Sequence, residues 1–78
     1  MIMQSKSDRA SKVAESIGAR VRESRQSLGL RQDELALAAG VSTRVIHQLE
    51  NGKPTSRLDS LVPVLEVLGL SLRVDRAP

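Results

Sequence analysis

Apolar residues recur at helical spacing along most of the chain, and glycines divide this pattern into segments. In the first segment the apolar residues lie four and seven positions apart, at Val13, Ile17, Val21 and Leu28. This is the spacing of one helix face. Ser7 or Ser11 is a candidate N-cap, and Gly29 is a candidate stop signal. The pattern therefore predicts a first helix that ends shortly before Gly29.

Two shorter helices are predicted next, one over Arg31–Ala39 and one from an N-cap at Ser42 to about Asn51. Only Gly40, Val41 and Ser42 connect them. A connection this short needs a positive φ, which glycine adopts readily, and small residues where the helices cross. Ala36, Ala39 and Gly40 are the small residues expected at that contact.

A fourth helix is predicted to end at Gly69, and Ser56 with Asp59 resembles a capping box at its start. Its expected buried stripe consists of Leu58, Leu61, Leu65 and Leu68. Pro63 lies on the opposite face, and an interior proline removes a helical hydrogen bond. The sequence predicts a kinked helix or two short ones.

The last residues alternate between apolar and polar, with Leu70, Leu72 and Val74 on one side of a predicted β-strand. Nothing else in the chain is a candidate strand, and a lone strand leaves its backbone groups unpaired. The partner strand is therefore expected from a second copy of the chain. Val64 and Val67 point away from the predicted leucine stripe and are assigned to the same dimer interface.

The composition excludes several kinds of chemistry. The chain has 78 residues, no cysteine and one histidine, His47. Disulfides, thiolate zinc sites and thiol nucleophiles are thereby excluded, and a single histidine makes no metal site. There is also no Gly-rich phosphate loop and too little chain to enclose a substrate. We expect neither an enzyme nor a bound cofactor.

Charge and apolar content point to a class of partner. The net charge is +3, which favours a polyanionic partner, while the absence of aromatic residues argues against a protein that binds single strands by base stacking. The chain has neither the apolar region of a signal peptide nor a membrane-spanning apolar run. A cytoplasmic location without a membrane partner is expected.

The predicted third helix divides into an apolar and a polar face. Val45, Ile46 and Leu49 form the apolar one, and the polar one, which is free of acids, consists of Thr43, Arg44, His47, Gln48 and Asn51. Side chains of these types can pair with base edges in the major groove. Amphipathic helices in general have a polar face, so an ordinary solvated surface is the alternative.

The residues around this helix resemble those of a known family. The matching segments are RVRxxR at 20–25, LGLxQxxLA at 28–36, GVS at 40–42 and IxxLENG at 46–52. From Ile17 to about Leu68 the chain resembles the Xre/Cro-like helix-turn-helix family of phage and bacterial repressors. The resemblance implies an all-α, compact, lambda-repressor-like domain of four to five helices, here with a short C-terminal β-strand pairing across a homodimer.

The resemblance divides the chain and assigns roles to its residues. Residues 1–10 are expected to be a flexible N-terminal segment, 11–69 the helix-turn-helix DNA-binding domain, and 70–78 the dimerisation strand and tail. The candidates for reading bases are Thr43, Arg44 and Gln48, with His47 as a further one. The candidates for binding phosphates are Gln32, Ser42, Asn51 and Lys53. Among the base-reading candidates Arg44 is the foremost, because arginine paired with guanine is the commonest specific contact.

Arg25 and Glu50 match a family pair that joins the first helix to the end of the recognition helix. An exposed pair would contribute about 0–1 kcal/mol. A partly buried pair would fix the angle of the recognition helix, and loss of one partner would cost more. We favour the structural role.

The resulting hypothesis is a repressor that binds a palindromic operator in double-stranded DNA as a homodimer. The ending from Leu58 to Val74 also resembles the HipB-type antitoxin subgroup of the family. That resemblance implies a type II toxin–antitoxin pair with a HipA-like kinase toxin as partner. The alternative function is a protein-interaction module that mainly neutralises such a toxin.

Overall fold

Helices account for all the regular secondary structure in the computed structural model, which describes residues 6–78. Helix α1 spans Lys6–Ser27, α2 Gln32–Ala39, α3 Thr43–Glu50 and α4 Leu58–Val67. Helix α3 packs against both α1 and α2, and α2 also packs against α4. The predicted all-α fold is confirmed, with four helices and no fifth one among the described residues. None of these helices is long and apolar enough to cross a membrane.

The core is aliphatic, and every helix contributes to it. The four most deeply buried side chains come from α1, α2, α3 and α4 in turn: Val21, Leu35, Ile46 and Val64. Complete burial of one such side chain stabilises a fold by roughly 1.5–3 kcal/mol. Because α2 and α3 have only eight residues each, they depend on this packing, since isolated helices of that length are marginal in water.

Three of the four residues predicted for the buried stripe of α4 are buried, namely Leu61, Leu65 and the C-cap Leu68. Val64 is buried with them, whereas Leu58 is 65% exposed. The buried positions follow the spacing i, i+3, i+4 and i+7 of a single helix face, and Leu58 begins the helix outside that contact. The assignment of Val64 to a dimer interface is therefore wrong, because its side chain is fully enclosed within its own chain.

The start of α4 also differs from the prediction. The N-cap is Arg57, and the Ser56 hydroxyl donates instead to the Lys53 carbonyl at 3.0 Å. The capping box expected at Ser56 is therefore wrong. Asp59 accepts two hydrogen bonds from Arg57. The helix continues through Pro63, which excludes two short helices and leaves the single helix of the two predicted alternatives.

Helix α1 begins earlier than either predicted cap, since residues 6–10 are already helical. This helix therefore extends into the segment 1–10 that the sequence assigns to a flexible N-terminus. Residues 1–5 of that segment lie outside the described residues.

The C-terminal residues 70–78 form no strand in the single chain. The Leu70 N–H donates to the Leu65 carbonyl at 2.8 Å, and its side chain packs against the core. Beyond this anchor Leu72 is 47% and Val74 96% exposed. A strand is defined by hydrogen bonds to a neighbouring strand, and residues 6–78 of a single chain contain no such neighbour. The predicted strand could therefore form only with a strand from a second chain.

Gly18 of α1 lies against the backbone of α3, and the sequence predicts no role for it. A Cβ atom at this position would overlap the Leu49 carbonyl oxygen and lie 3.2 Å from that of Glu50. A second close contact follows at Gly52, where φ is +74° and a Cβ would lie 2.9 Å from Cγ of Glu15. Only glycine at both positions allows α1 to lie against the C-terminal end of α3.

We expect Gly18→Ala to destabilise the fold by about 1–3 kcal/mol, as overpacking does, because the atom that a methyl group meets belongs to the backbone. In an unhindered helix the same change would stabilise by roughly 0.5–1 kcal/mol. Thermal unfolding followed by circular dichroism measures the effect, with the exposed Ser16→Ala on the same helix as control. Equal or higher stability for Gly18→Ala would show that α1 and α3 do not cross at this residue.

Candidate nucleic-acid interface

The turn between α2 and α3 is built as the sequence predicts. Gly40 has a φ of +72°, and the Ser42 hydroxyl accepts a hydrogen bond from the Val45 N–H at 3.2 Å as the N-cap of α3. Gly40 itself is exposed, and a Cβ there would meet no atom. Its expected part in the small-residue contact is therefore wrong. The turn needs its positive φ, and Ala36 is the small buried residue.

Helix α3 presents an exposed polar face without a carboxylate. Its buried side chains are Ile46, Leu49 and Glu50. Thr43, Arg44 and His47 are exposed and Gln48 is half-buried. Glu50 is the only acidic residue of α3, and its side chain is turned into the molecule with an exposed fraction of 1%. The remaining surface consists of hydrogen-bonding groups and one permanent cation.

The candidate phosphate contacts lie at helix ends. Gln32 is the first residue of α2, Ser42 caps α3, and Asn51 and Lys53 follow the C-terminal end of α3. Helix N-termini attract anions through their free N–H groups, so Gln32 and Ser42 occupy suitable positions. Asn51 Nδ2 lies 3.0 Å from His47 Nε2 on the exposed surface.

The Glu50 carboxylate is the centre of a buried polar cluster. Arg25 donates from Nε to Oε2 at 2.6 Å and from Nη2 to Oε1 at 2.9 Å. The Gln32 amide donates to Oε1 at 3.2 Å. Arg25 also donates to the Leu30 carbonyl at 2.8 Å. The cluster thus joins α1, the α1–α2 loop, the start of α2 and the end of α3.

This cluster keeps Glu50 ionised in spite of its burial. Burial raises the pKa of the carboxyl, but hydrogen bonds from Arg25 and Gln32, together with the charges of Arg25 and Arg22, lower the pKa of Glu50 overall. The same hydrogen bond raises the pKa of Arg25. Arg22, which is more exposed than Arg25, adds its positive charge with its Nε 3.6 Å from Oε1 of Glu50.

The cations near α3 differ in how they are engaged. Arg31 pairs with Asp33, and Arg57 pairs with Asp59. Arg44 and Lys53 are exposed and form no ion pair within the described residues. These two cations are consequently free to contact an anionic partner.

Two residues that support this surface were missed at the level of sequence. Arg22 belongs to the RVRxxR segment of the family resemblance, but nothing in the sequence indicates that its guanidinium lies near Glu50. For Gly18 a signal existed, because a glycine inside a regular helical pattern costs stability and usually has a packing reason. The contact with the backbone of Leu49 is that reason here.

We expect Glu50→Gln to destabilise the fold by about 3–5 kcal/mol, because it leaves the Arg25 charge buried without its partner. The folded-state pKa of Glu50 is below the ordinary value of 4.5. The pair therefore stabilises fully above that pH, and its contribution is lost as pH falls through the lower, folded pKa. Below pH 4.5 the free energy of unfolding should therefore fall less steeply in the variant than in the wild type. Urea unfolding between pH 3 and 7 measures both effects.

Glu66→Gln is the matched control, since Glu66 is exposed on α4 and surface changes of this kind usually stay within about 0.5 kcal/mol. If both variants had the same stability and the same acid dependence, the Arg25–Glu50 pair would have no structural role.

Comparison with known proteins agrees with this geometry. The family model described as Helix-turn-helix (HTH_3) matches residues 21–74. The chain is also 50% identical over 58 residues to an uncharacterised HTH-type transcriptional regulator, y4mF, of Sinorhizobium fredii, an alignment that covers 74% of this chain and 76% of the relative. The family match indicates a DNA-binding protein and not an enzyme, and the relative is named as a transcriptional regulator. The chain belongs to the helix-turn-helix family.

Proposed function

We propose that the protein is a repressor that recognises a specific sequence in double-stranded DNA with α3. The observation that carries this proposal is the exposed face of α3, which lacks a carboxylate because Glu50 is turned inward and bound by Arg25. An exposed acid in the major groove would be repelled by the phosphates and would leave Arg44 partly neutralised. The buried pair removes that acid and fixes the helix that carries Arg44.

The proposed roles follow the positions of the side chains. Thr43, Arg44 and Gln48, with His47 beside them, contact base edges, and Gln32, Ser42, Asn51 and Lys53 contact phosphates. For Gln32, one N–H of the side-chain amide donates to Glu50. The second N–H of the same nitrogen is the group proposed to donate to a phosphate, while Lys53 offers a charge.

The proposal includes a homodimer and a palindromic operator. Support comes from the tail, which is anchored at Leu70 and then exposes Leu72 and Val74. Antiparallel pairing of two such tails would satisfy their backbone groups and cover these apolar side chains. Val67 and Leu70, which are half-buried against their own core, lie at the edge of the same surface. Two-fold symmetry places two recognition helices about 34 Å apart on DNA.

A second candidate function is that of an antitoxin that neutralises a kinase-like toxin. The exposed tail residues Leu72 and Val74 favour a protein partner of some kind. In this second function the toxin, and not a second copy of the chain, covers these two side chains. Coexpression with the product of a neighbouring kinase-like gene tests it. The wild-type chain should copurify with that product, while a chain with Leu72→Asp and Val74→Asp should not. Equal recovery of both chains would exclude the tail as the toxin-binding surface.

We expect Arg44→Ala and Lys53→Ala to weaken DNA binding in different ways. Arg44→Ala should cost about 1–3 kcal/mol on the preferred operator and relax the preference at one base position per half-site. Lys53→Ala should weaken binding to all sequences about equally and reduce the salt slope by about one per lost contact. Fluorescence-anisotropy titrations on selected and random duplexes, at several salt concentrations, measure both effects.

The charge-matched control is Lys12→Ala, because Lys12 is exposed on α1 and belongs neither to α3 nor to the tail. It should leave the base preference unchanged. Identical behaviour of the Arg44 and Lys53 variants on selected and random DNA would show that α3 does not read the sequence. Wild-type binding that does not weaken between low and high salt would exclude phosphate contacts altogether.

We expect Leu72→Asp combined with Val74→Asp to convert the dimer into a folded monomer, because two carboxylates would replace the apolar side chains at the pairing surface. This change is preferable to truncation after Gly69, which would also remove the core contact of Leu70. Multi-angle light scattering measures the mass, and circular dichroism checks the fold. Leu37→Asp is the control, since Leu37 is 85% exposed on α2. An unchanged mass for the double variant would eliminate the tail as the dimer contact.

A further inference from the structure

An apolar groove separates the N-terminal half of α1 from the loop that follows α3. Its volume is about 330 Å³. Leu49 and Leu61 form its floor and are almost fully buried, while Val13 on the α1 wall is 58% exposed. Large apolar side chains exposed at a concave surface mark a binding site more often than they do on a flat one. The groove is distinct from the polar face of α3.

Among the described residues, two cations and no acid line this groove. Arg9 comes from α1 and Lys53 from the loop after α3. Both side chains are exposed, and neither forms an ion pair within the part of the chain that the structure describes. An apolar floor with unpaired cations at its edge is complementary to a molecule with one anionic group and a short apolar body.

The size of the groove indicates the size of its occupant. Small-molecule pockets have volumes of roughly 300–1,000 Å³, which places this groove at the lower end. A second copy or another protein would need to bury about 800 Å² on each partner, and this groove alone is too small for that. A medium-chain carboxylate satisfies both the volume and the charge.

We infer that this groove binds a small amphipathic anion, a medium-chain carboxylate, and that its binding weakens the contact of the protein with DNA. The apolar body lies between α1 and Leu61, and the carboxylate pairs with Arg9 and Lys53. Lys53 is also a proposed phosphate contact, so one side chain serves both anions. The effect on DNA rests on the proposed function, whereas binding in the groove does not.

Coupling between the two ligands is reciprocal. If the carboxylate occupies Lys53, DNA loses one phosphate contact, and bound DNA lowers the affinity for the carboxylate by the same factor. The body of the ligand also contacts Pro54 and Ser56 in the loop between α3 and α4. The bound carboxylate therefore holds the loop that carries Lys53 against the groove, where Lys53 does not contact DNA.

Decanoate, kept below its micelle concentration, is a suitable probe. In ¹⁵N-labelled protein without DNA, it should shift the amide signals of Ala10, Ala14 and Ile17, while decanol at the same concentration should not. Arg9→Gln should abolish the shifts, and Ala14→Leu should block them by filling the groove. Ala38→Leu on the exposed side of α2 is the control for added bulk.

In DNA titrations, saturating decanoate should weaken wild-type binding roughly 5- to 150-fold, the usual range for coupled sites. Arg9→Gln should bind DNA as the wild type does without decanoate, and its affinity should not respond to decanoate. Circular dichroism checks that both variants are folded. If Ala14→Leu unfolds, Arg9→Gln still tests the inference, because Arg9 is exposed.

Three results would overturn the inference. Equal shifts with decanoate and decanol, or shifts that survive Arg9→Gln, would show nonspecific adhesion to an apolar surface. A change of mass in Ala14→Leu would identify the groove as a contact between copies. Binding in the groove without any effect on DNA affinity would remove the regulatory role. If the protein bound no DNA at all, the proposed function would fail, while the amide shifts would still decide whether the groove binds the carboxylate.

Discussion

The position of α3 depends on the carboxylate of Glu50. This group lies at the last residue of α3 and is bound by Arg25 of α1 and Gln32 of α2. Burying two charges is costly unless their hydrogen bonds are satisfied, and a pair of this kind contributes specificity of arrangement more than stability. Among the described residues, no buried side-chain nitrogen or oxygen lacks a partner. The cluster therefore defines one orientation of α3, and Gly18 permits the close approach that this orientation requires.

The features that the sequence predicts well are local ones. The turn between α2 and α3 depends on Gly40 and Ser42, which lie within a few residues of the groups they affect. The polar face of α3 follows from helical spacing alone, because an eight-residue helix with three apolar side chains in one arc has only one face to bury. The end of α4 before Gly69 likewise follows from a neighbouring residue.

The features that it predicts poorly depend on distant residues. In α4 the predicted stripe and the observed one share Leu61, Leu65 and Leu68. Packing against α2 decides the rest, because it buries Val64 and leaves Leu58 exposed. Ser56 met the rule for a cap, but its hydroxyl found a nearer acceptor in the loop. The burial of Glu50 depends on Arg25, which is 25 residues away in the chain. The extent to which the pair is buried therefore could not be deduced from the residues around Arg25 or from those around Glu50.

The separation between the supporting cluster and the exposed face has an evolutionary consequence. A change of Arg25 or Glu50 alone leaves a buried charge unpaired, so these two positions are constrained to vary together or to remain as they are. Arg44 and Thr43 contact no part of the supporting cluster and are exposed, so they can be exchanged at little cost to folding. With α3 as the proposed reader of DNA, new target preferences would arise by single mutations on an unchanged framework, and gene duplicates of such a protein would diverge without passing through unfolded intermediates.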